Sequence, residues 1–447
     1  MPLKPPARRG MKELDRSAFG LTLPVVGVRV PTKSIGQLKA QLASDVLTIP
    51  RMRNVVEDGA SKTHRILLLK PEITSQHLTG ASDRLKEYVK ENSLDVLTHN
   101  VEVGYDHWTA DDILKAVLPD PTQAPTSYEQ IGHIAHMNLR EEYLEYKGLI
   151  GEVILDKSTT VKMVVNKLDS IDNTFRNFQM EVLAGSGDYI ATVRENDCVF
   201  KFDYSKVYWN SRLHSEHERL IKEFARGSSV CDVMAGVGPF AVPAARRGSL
   251  VWANDLNPAS FEAMEDNIRL NKVQGRVRAF NMDGRDFIRQ AFADFIELTR
   301  AGGLSIPAIV SSNISRSKAK AKAARPEPPI PVPSRSFDHV VMNLPAIAIE
   351  FLDAFHGLFR QITGNGEEDA DDSLNMPTIH THCFTKSAEP ERDILQRACR
   401  ALGFPEDRYR ELVADVYYVR RVAPNKDMYC LSLQLPKSIA YAAAPEK

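Results

Sequence analysis

Asn343 ends an apolar run, "VVM" at 340–342, and is followed by Leu344 and Pro345. Proline neither donates to a sheet nor continues a helix, so a buried strand has to stop here. Pro345 fixes the turn and points the amide into the crevice beyond the strand rather than into a helix. Upstream, "DVMAGVGPFAVPAA" (232–245) places Gly236 and Gly238 between a strand and a helix. Glycines there let the backbone pass close to a ligand at the carboxyl ends of the strands. The next strand ends "ANDLNP", with Asp255 19 residues after Gly236. At that distance a carboxylate can accept hydrogen bonds from two ribose hydroxyls. A third strand ends "NMDGRDF", where Asp283 can accept from an adenine amino group and Gly284 permits close approach. Taken singly, Asp232, Asp255 and Asp283 are as well explained as caps of the turns that follow them. Together, at three successive strand ends, they point to a site.

These residues need a frame of parallel strands. From 228 onward the rhythm is strand, turn, helix, repeated: "SVCDVMAG", "LVWANDLNP", "VRAFNMDG", "FDHVVMNLP" and "TIHTHCF" each read as a buried parallel strand. "ELVADVYYVRRVAP" and "DMYCLSLQL" pair as an antiparallel hairpin, giving an α/β doubly wound sheet with an antiparallel edge. Before it, a helix over 139–156 and the runs "VKMVVNK", "FQMEVLAG", "YIATVREN" and "CVFKFDY" predict a small α+β domain. The first 120 residues predict an N-terminal α/β domain closed by "TADDILKAVLP", where Thr109 and Asp112 form a capping box and Pro119 stops the helix. "PDPTQAPT" (119–126) reads as the linker. The expected domains are therefore 1–120, 127–210 and 211–447. The last is interrupted by a basic, proline-rich insert at 311–335 (Arg316, Lys318, Lys320, Lys322, Arg325) and an acidic loop at 366–373. Both read as mobile, solvated loops.

A chain of 447 residues is too long for one ordinary core, and 43% hydrophobic with 26% charged residues is a globular composition. No apolar run approaches a membrane span. Five scattered cysteines without a CxxC pair argue against a disulfide framework and a thiolate zinc site, and favour a reducing compartment. "HIAHMN" and "HTHC" lack the remaining ligands of a metal site at recognisable spacing, so no metal is expected. The net charge of −1 excludes bulk attraction to a polyanion and leaves local basic patches as the means of holding one. The first ten residues, "MPLKPPARRG", read as a flexible tail rather than an organelle leader.

The spacing from Gly236 to Asp255 serves NAD and S-adenosylmethionine equally. Asn343-Leu344-Pro345 separates the two, because it resembles the Asn/Asp-Pro-Pro-aromatic loop of base and amine methyltransferases, an arrangement hydride transfer does not need. From about 127 to the end the chain is similar to the tRNA (guanine-N1)-methyltransferases of archaea and eukaryotes that act at position 37, next to the anticodon. The resemblance rests on "HMNLREEYLEYKGLIGEVILDK", "DNTFRNFQMEVLAG", "FDYSKVYWNSRLHSEHERL", "DVMAGVGPFAVPAA", "ANDLNP", "NMDGRDF" and "NLPA".

It implies a Rossmann-like class I methyltransferase that uses S-adenosylmethionine on tRNA, without a metal or a membrane, and monomeric as family members often are. It places such an enzyme in the cytoplasm and nucleus, and also in the mitochondrial matrix. By resemblance Glu216 is the general base and Arg176 stabilises charge on the guanine oxygen. Asn343 orients the base and also lines the cofactor pocket with His217, Asp255, Leu256, Asp283 and Gly284. Tyr208 and Trp209 flank the base site beside Pro345. The middle domain would hold the anticodon stem-loop, with Lys157, Lys162, Lys167 and Lys206 as basic contacts, and residues 1–118 would reach the tRNA body. Without the family motif, Glu216 is one more charge on a solvated helix face, Arg176 a partner of some nearby acid, and His217 a surface histidine. Two other functions fit the same residues less well: transfer of an aminocarboxypropyl group to a tRNA base from the same cofactor, and tRNA binding without turnover.

Overall fold

The computed structural model describes residues 3–74, 77–168, 179–302, 304–307, 330–332, 334–368 and 373–443. Arg176, most of the basic insert and part of the acidic loop lie outside them. The chain divides into two compact units, one reaching to Leu168 and including Met180–Gly187, the other beginning at Asp188.

The first unit opens with β1 (Leu21–Pro31), α1 (Ile35–Gln41), β2 (Val55–Glu57), β3 (His64–Leu68), α2 (Asp83–Glu91) and β4 (Val96–Val103). Its strands form an antiparallel sheet of order β2-β3-β1-β4. α3 (Ala110–Val117) begins at the expected capping box: Thr109 Oγ1 accepts from Asp112 N at 3.1 Å and the Asp112 carboxylate accepts from Thr109 N at 3.0 Å. The first residues are not a free tail. The last carbonyls of a helix have no partner within it, and here Arg9 supplies one, donating to Lys115 O at 2.6 Å and to Leu118 O. Arg8 N and Gly10 N donate to Ala116 O and Val117 O at 2.8 and 3.0 Å.

β5 (Glu129–Ile131), β6 (Ile134–Met137), α4 (Lys147–Lys157), β7 (Met163–Lys167) and β8 (Met180–Gly185) complete the unit, with sheet order β5-β6-β7-β8 and a parallel β6–β7 pair joined through α4. The helix expected over 139–156 is in two pieces, a 3₁₀ turn at Glu141–Tyr146 and then α4. One apolar core, including Trp108, Leu114, Ile150 and Val164, runs through the N-terminal and middle segments alike. Gly185 sits where β8 ends, at φ +79, and a Cβ there would lie 2.1 Å from the Lys162 carbonyl oxygen. Gly185→Ala should therefore destabilise this unit by about 3 kcal/mol, combining a left-handed conformation with a backbone clash. Thermal melting of the variant checks it.

In the second unit, β9 (Ile190–Glu195) and β10 (Cys198–Asp203) form a hairpin closed by Asn196 and Asp197 at φ +47 and +59, the turn that matches strand twist. The sequence reading placed this hairpin in the middle domain; it counts with the second unit. α5 (His214–Glu223), β11 (Ser229–Asp232), α6 (Ala241–Arg247), β12 (Leu250–Asn254), α7 (Pro258–Leu270), β13 (Val277–Phe280) and α8 (Gly284–Arg300) follow. A two-stranded pair, β14 (Ser305–Ile306) and β15 (Ile330–Pro331), precedes β16 (His339–Met342), α9 (Leu358–Thr363), β17 (Thr378–Thr385), α10 (Pro390–Leu402), β18 (Ala414–Ala423) and β19 (Lys426–Gln434). The sheet order is β13-β12-β11-β16-β17-β19-β18. The five strands from β13 to β17 are parallel and the last two antiparallel, as the sequence pattern predicts. "HTHC" is buried within β17. The strand order reverses at β11, so the crevice beyond β11 and β16 is where such a sheet takes a ligand.

Candidate active site

Buried asparagines build the crevice. Asn254, at the end of β12, donates to Val233 O and Met282 O at 3.1 Å each and accepts from Met282 N at 2.9 Å, tying together the segments that follow β11 and β13. Asn281 donates to Asp255 O and Leu256 O at 2.7 and 3.1 Å. On the far side of α7, Asn267 and Asn271 accept from Lys201 N and Val199 N, which fixes the β9–β10 hairpin. That hairpin then carries Glu195 to His217, with Oε1 2.5 Å from Nδ1.

One cavity lies at the carboxyl ends of β11, β12 and β16, and it collects most of the residues the sequence singled out. Gly236, Asp255, Leu256, His217, Asn343 and Pro345 line it, together with Tyr208 and Trp209. Gly236 has φ +56, and a Cβ there would project into open space. Asp255 accepts from Gly236 N at 2.8 Å and Asn257 N at 2.9 Å. Burial raises its carboxyl pKa, and these two bonds work against the rise. Trp209 stacks on Phe202 with centroids 5.0 Å apart and is buried, while Tyr208 is 47% exposed at the edge. The Asn343 Oδ1 atom is buried without a hydrogen-bond partner. A buried acceptor of that kind calls for a donor from a ligand.

Other expected residues lie elsewhere. Gly238, at φ +93, is shaped by its own turn, where a Cβ would meet Val242 at 2.9 Å. Asp283 caps α8, accepting from Arg285 N at 2.9 Å, and Gly284 packs under Phe351; neither is among the residues lining the cavity. Asp232 is fully buried, facing the Ala241 backbone at the start of α6; burial followed by the Asp255 charge pushes its carboxyl up to about 8, against the opposing effects of His382 and the Ala241 N–H. Lys157 is occupied, donating to Tyr105 O at 2.6 Å and lying 3.7 Å above the Tyr105 ring.

Glu216 does not line the cavity. It is 3% exposed on α5, where Arg219 grips it in a fork, Nε to Oε2 at 2.7 Å and Nη2 to Oε1 at 2.8 Å. His382 adds a third bond, Nε2 to Oε1 at 2.9 Å. Burial raises the Glu216 carboxyl pKa, but Arg219 and His382 outweigh it and hold the group at about 2. The alternative of one more charge on a solvated helix face is thereby excluded, since this carboxylate is buried and paired. Glu216 and Asn343 are linked through neighbouring strands. β16 and β17 pair through Met342 and Thr381, so Asn343 follows in line with His382, the residue that holds Glu216. Phe240 packs against both His217 and His382, with centroids at 4.7 and 5.9 Å. Among the described residues, Glu216, His382 and Cys430 are the one group of three or more whose metal-ligating atoms come together, within 4.8 Å of one another. Arg219 already neutralises the carboxylate there, which disfavours a further cation.

The sequence reading missed Phe240, Phe384, Glu195 and His382. Phe240 stood inside a quoted motif, but nothing in the order of residues announces that Glu195 meets His217 or that His382 meets Glu216.

A sheet of this order, opening at its carboxyl ends onto a glycine turn, a ribose-type carboxylate and an amide-proline turn, defines a class I S-adenosylmethionine-dependent methyltransferase. The TRM5/TYW2 methyltransferase domain profile matches residues 191–302, and that of the TYW2 N-terminal domain matches 110–188. A tRNA (guanine(37)-N(1))-methyltransferase of Batrachochytrium dendrobatidis is 43% identical across 98% of this chain and 91% of its own. One of Schizosaccharomyces pombe is 44% identical across 97% and 96%. The solved complex of aTrm5 and tRNALeu shares the fold, with a TM-score of 0.58 at 17% identity over 92% of this chain and 100% of that one. The chain belongs to the tRNA (guanine(37)-N(1))-methyltransferase family.

The cavity suits S-adenosylmethionine. Gly236 keeps its floor open, Asp255 offers acceptor oxygens where ribose hydroxyls belong, and the 46% exposed Leu256 gives an apolar surface beside them. No helix of the described residues is long and apolar enough to cross a membrane.

Proposed function

We propose that this protein methylates N1 of guanosine 37 of tRNA, with Glu216 receiving the N1 proton. S-adenosylmethionine supplies an already activated methyl group, so the protein's task is to orient the base and handle its proton and charge. The observation that carries the reading is the unpartnered Asn343 Oδ1 at the cavity. The Watson–Crick edge of guanine presents N–H donors that such an acceptor can hold. Pro345, Tyr208 and Trp209 bound the space beside it. A base stacked in an anticodon loop has to be turned out to enter.

At neutral pH N1 carries a proton and its lone pair is unavailable. As the N1–H bond breaks, the proton would pass to a Glu216 oxygen and the freed electron pair would take the methyl group, while the methyl–sulfur bond breaks and its electron pair stays on sulfur, leaving S-adenosylhomocysteine. Glu216 is ionised at any physiological pH, the form a base requires. Both of its oxygens already accept bonds, so one of these has to yield. Arg219 has room to do so: its side chain is 21% exposed and rests 4.1 Å over the Tyr417 ring, whereas His382 is fully buried. Losing the guanidinium would also raise the proton affinity of the carboxylate when the substrate arrives. Arg176, outside the described residues, is assigned by family resemblance to the charge that develops on O6. The protein is proposed to act as a monomer in the cytoplasm and nucleus and in the mitochondrial matrix. Five free, buried cysteines support a reducing compartment.

The test is to incubate purified protein with labelled S-adenosylmethionine and unmodified tRNA bearing guanosine 37, then digest and identify the nucleoside. 1-Methylguanosine is expected. An aminocarboxypropyl adduct, or no product, overturns the reading.

A further inference from the structure

A second, polar cleft adjoins the cavity and shares one wall with it, the Phe384 side chain. Lys386, Arg397 and Lys426 line this cleft, with Asp393 as its acid. Two of the cations are fastened to Phe384 itself. Lys426 Nζ lies 4.2 Å over the ring, and Arg397 Nη1 donates to the Phe384 carbonyl at 2.9 Å. Lys386 is exposed two residues further along the chain. Phe384 N donates to Pro345 O at 3.0 Å, which joins this wall to the amide-proline turn. Asp393 is partly spent, accepting from Thr385 Oγ1 at 2.9 Å and Arg397 Nη1 at 3.4 Å. Three cations against one acid leave a net positive cleft at the mouth of the base site.

We propose that Lys386, Arg397 and Lys426 bind the phosphates flanking the target nucleotide and so position the tRNA backbone for base insertion. The inference rests on the tRNA-methylating reading above. A nucleotide whose base enters beside Asn343 and Pro345 leaves its sugar and phosphates at the cavity mouth, and Phe384 separates that mouth from the cations. Phosphate contacts of this kind fix register without reading sequence. An anion held by exposed lysines also leaves a salt signature, because each neutralised phosphate of a single strand contributes about 0.7 to the slope of log affinity against log salt.

The test pairs Lys386→Gln with Lys426→Gln, which keeps most of the aliphatic stem over Phe384 and removes both charges. The double variant should raise KM and Kd for tRNA about ten-fold near physiological salt and flatten the salt slope by about 1.4. Affinity for S-adenosylmethionine should stay at the wild-type value, and the Lys386→Arg/Lys426→Arg pair should restore tRNA affinity. A salt slope equal to wild type, or a fall in cofactor affinity with tRNA affinity unmoved, overturns the proposal. If wild type makes no 1-methylguanosine the parent reading falls, while the tRNA-binding slope still reports on the cleft.

Discussion

Glu216→Gln should slow methyl transfer at neutral pH by about 10²- to 10⁴-fold, the span that removal of a positioned general base produces. The amide keeps the size of the side chain, and Glu216 does not line the cofactor cavity. S-adenosylmethionine affinity should therefore stay within about two-fold of wild type, which separates lost proton transfer from lost binding. The gap in rate should narrow as pH rises, because guanine N1 then ionises without help. Single-turnover rates across a pH series measure this. A variant as fast as wild type at neutral pH would show that the proton leaves by another route.

The same substitution has a stability signature. Arg219 and His382 hold the folded-state pKa at about 2, against an ordinary value of 4.5. A depressed carboxyl contributes stability that is complete above about 4.5 and disappears as pH falls toward 2. At about 1.4 kcal/mol per pH unit, the contribution is on the order of 3 kcal/mol. His382 reports this contact only in part, because Cys430 acts on it more strongly than Glu216 does. Burial lowers its pKa, but Cys430 and Glu216 raise it to about 10, so its share is present below 6.5 and lost as pH rises through 10. The two share the Glu216–His382 contact and are therefore not summed. Glu216→Gln should thus melt well below wild type near neutrality, and the two melting curves should converge in strong acid.

Asp255→Ala should weaken S-adenosylmethionine binding by about 10- to 100-fold, the worth of one or two hydrogen bonds to a charged acceptor. Part of the loss is indirect, because Gly236 N and Asn257 N both donate to this carboxylate and would lose their acceptor. Asp255→Asn keeps the shape and one acceptor oxygen, so it should fall between alanine and wild type. Calorimetric titration gives the affinities. With saturating cofactor the turnover of Asp255→Ala should recover toward wild type, since the residue binds rather than reacts. Wild-type affinity in Asp255→Ala would remove the ribose from this position.

Much of this was legible in the chain because it is local. Strand and helix rhythm, the glycine turn at 236, the capping box at Thr109 and the proline after Asn343 are each decided by a few neighbouring residues. They fixed the parallel sheet with its antiparallel edge and placed Gly236, Asp255 and Asn343 at strand ends. The limits of such reasoning appear where one residue type serves two purposes. Asp232, Asp255 and Asp283 look alike in sequence, yet the first is fully buried, the second lines the cavity, and the third caps a helix.

What only the tertiary structure decided was who meets whom. Glu216 and His382 are 166 residues apart in sequence and 2.9 Å apart in space. Charge state depends on such long-range meetings, because a carboxylate titrates according to its burial and its partners rather than its neighbours in the chain. The amino-acid order therefore specified which groups stand at the ends of the strands. The meeting of α5 with His382 of β17 buried the proposed base, which Arg219 of its own helix already pairs, and the Phe384–Pro345 backbone bond set Phe384 between the cofactor cavity and a cationic cleft.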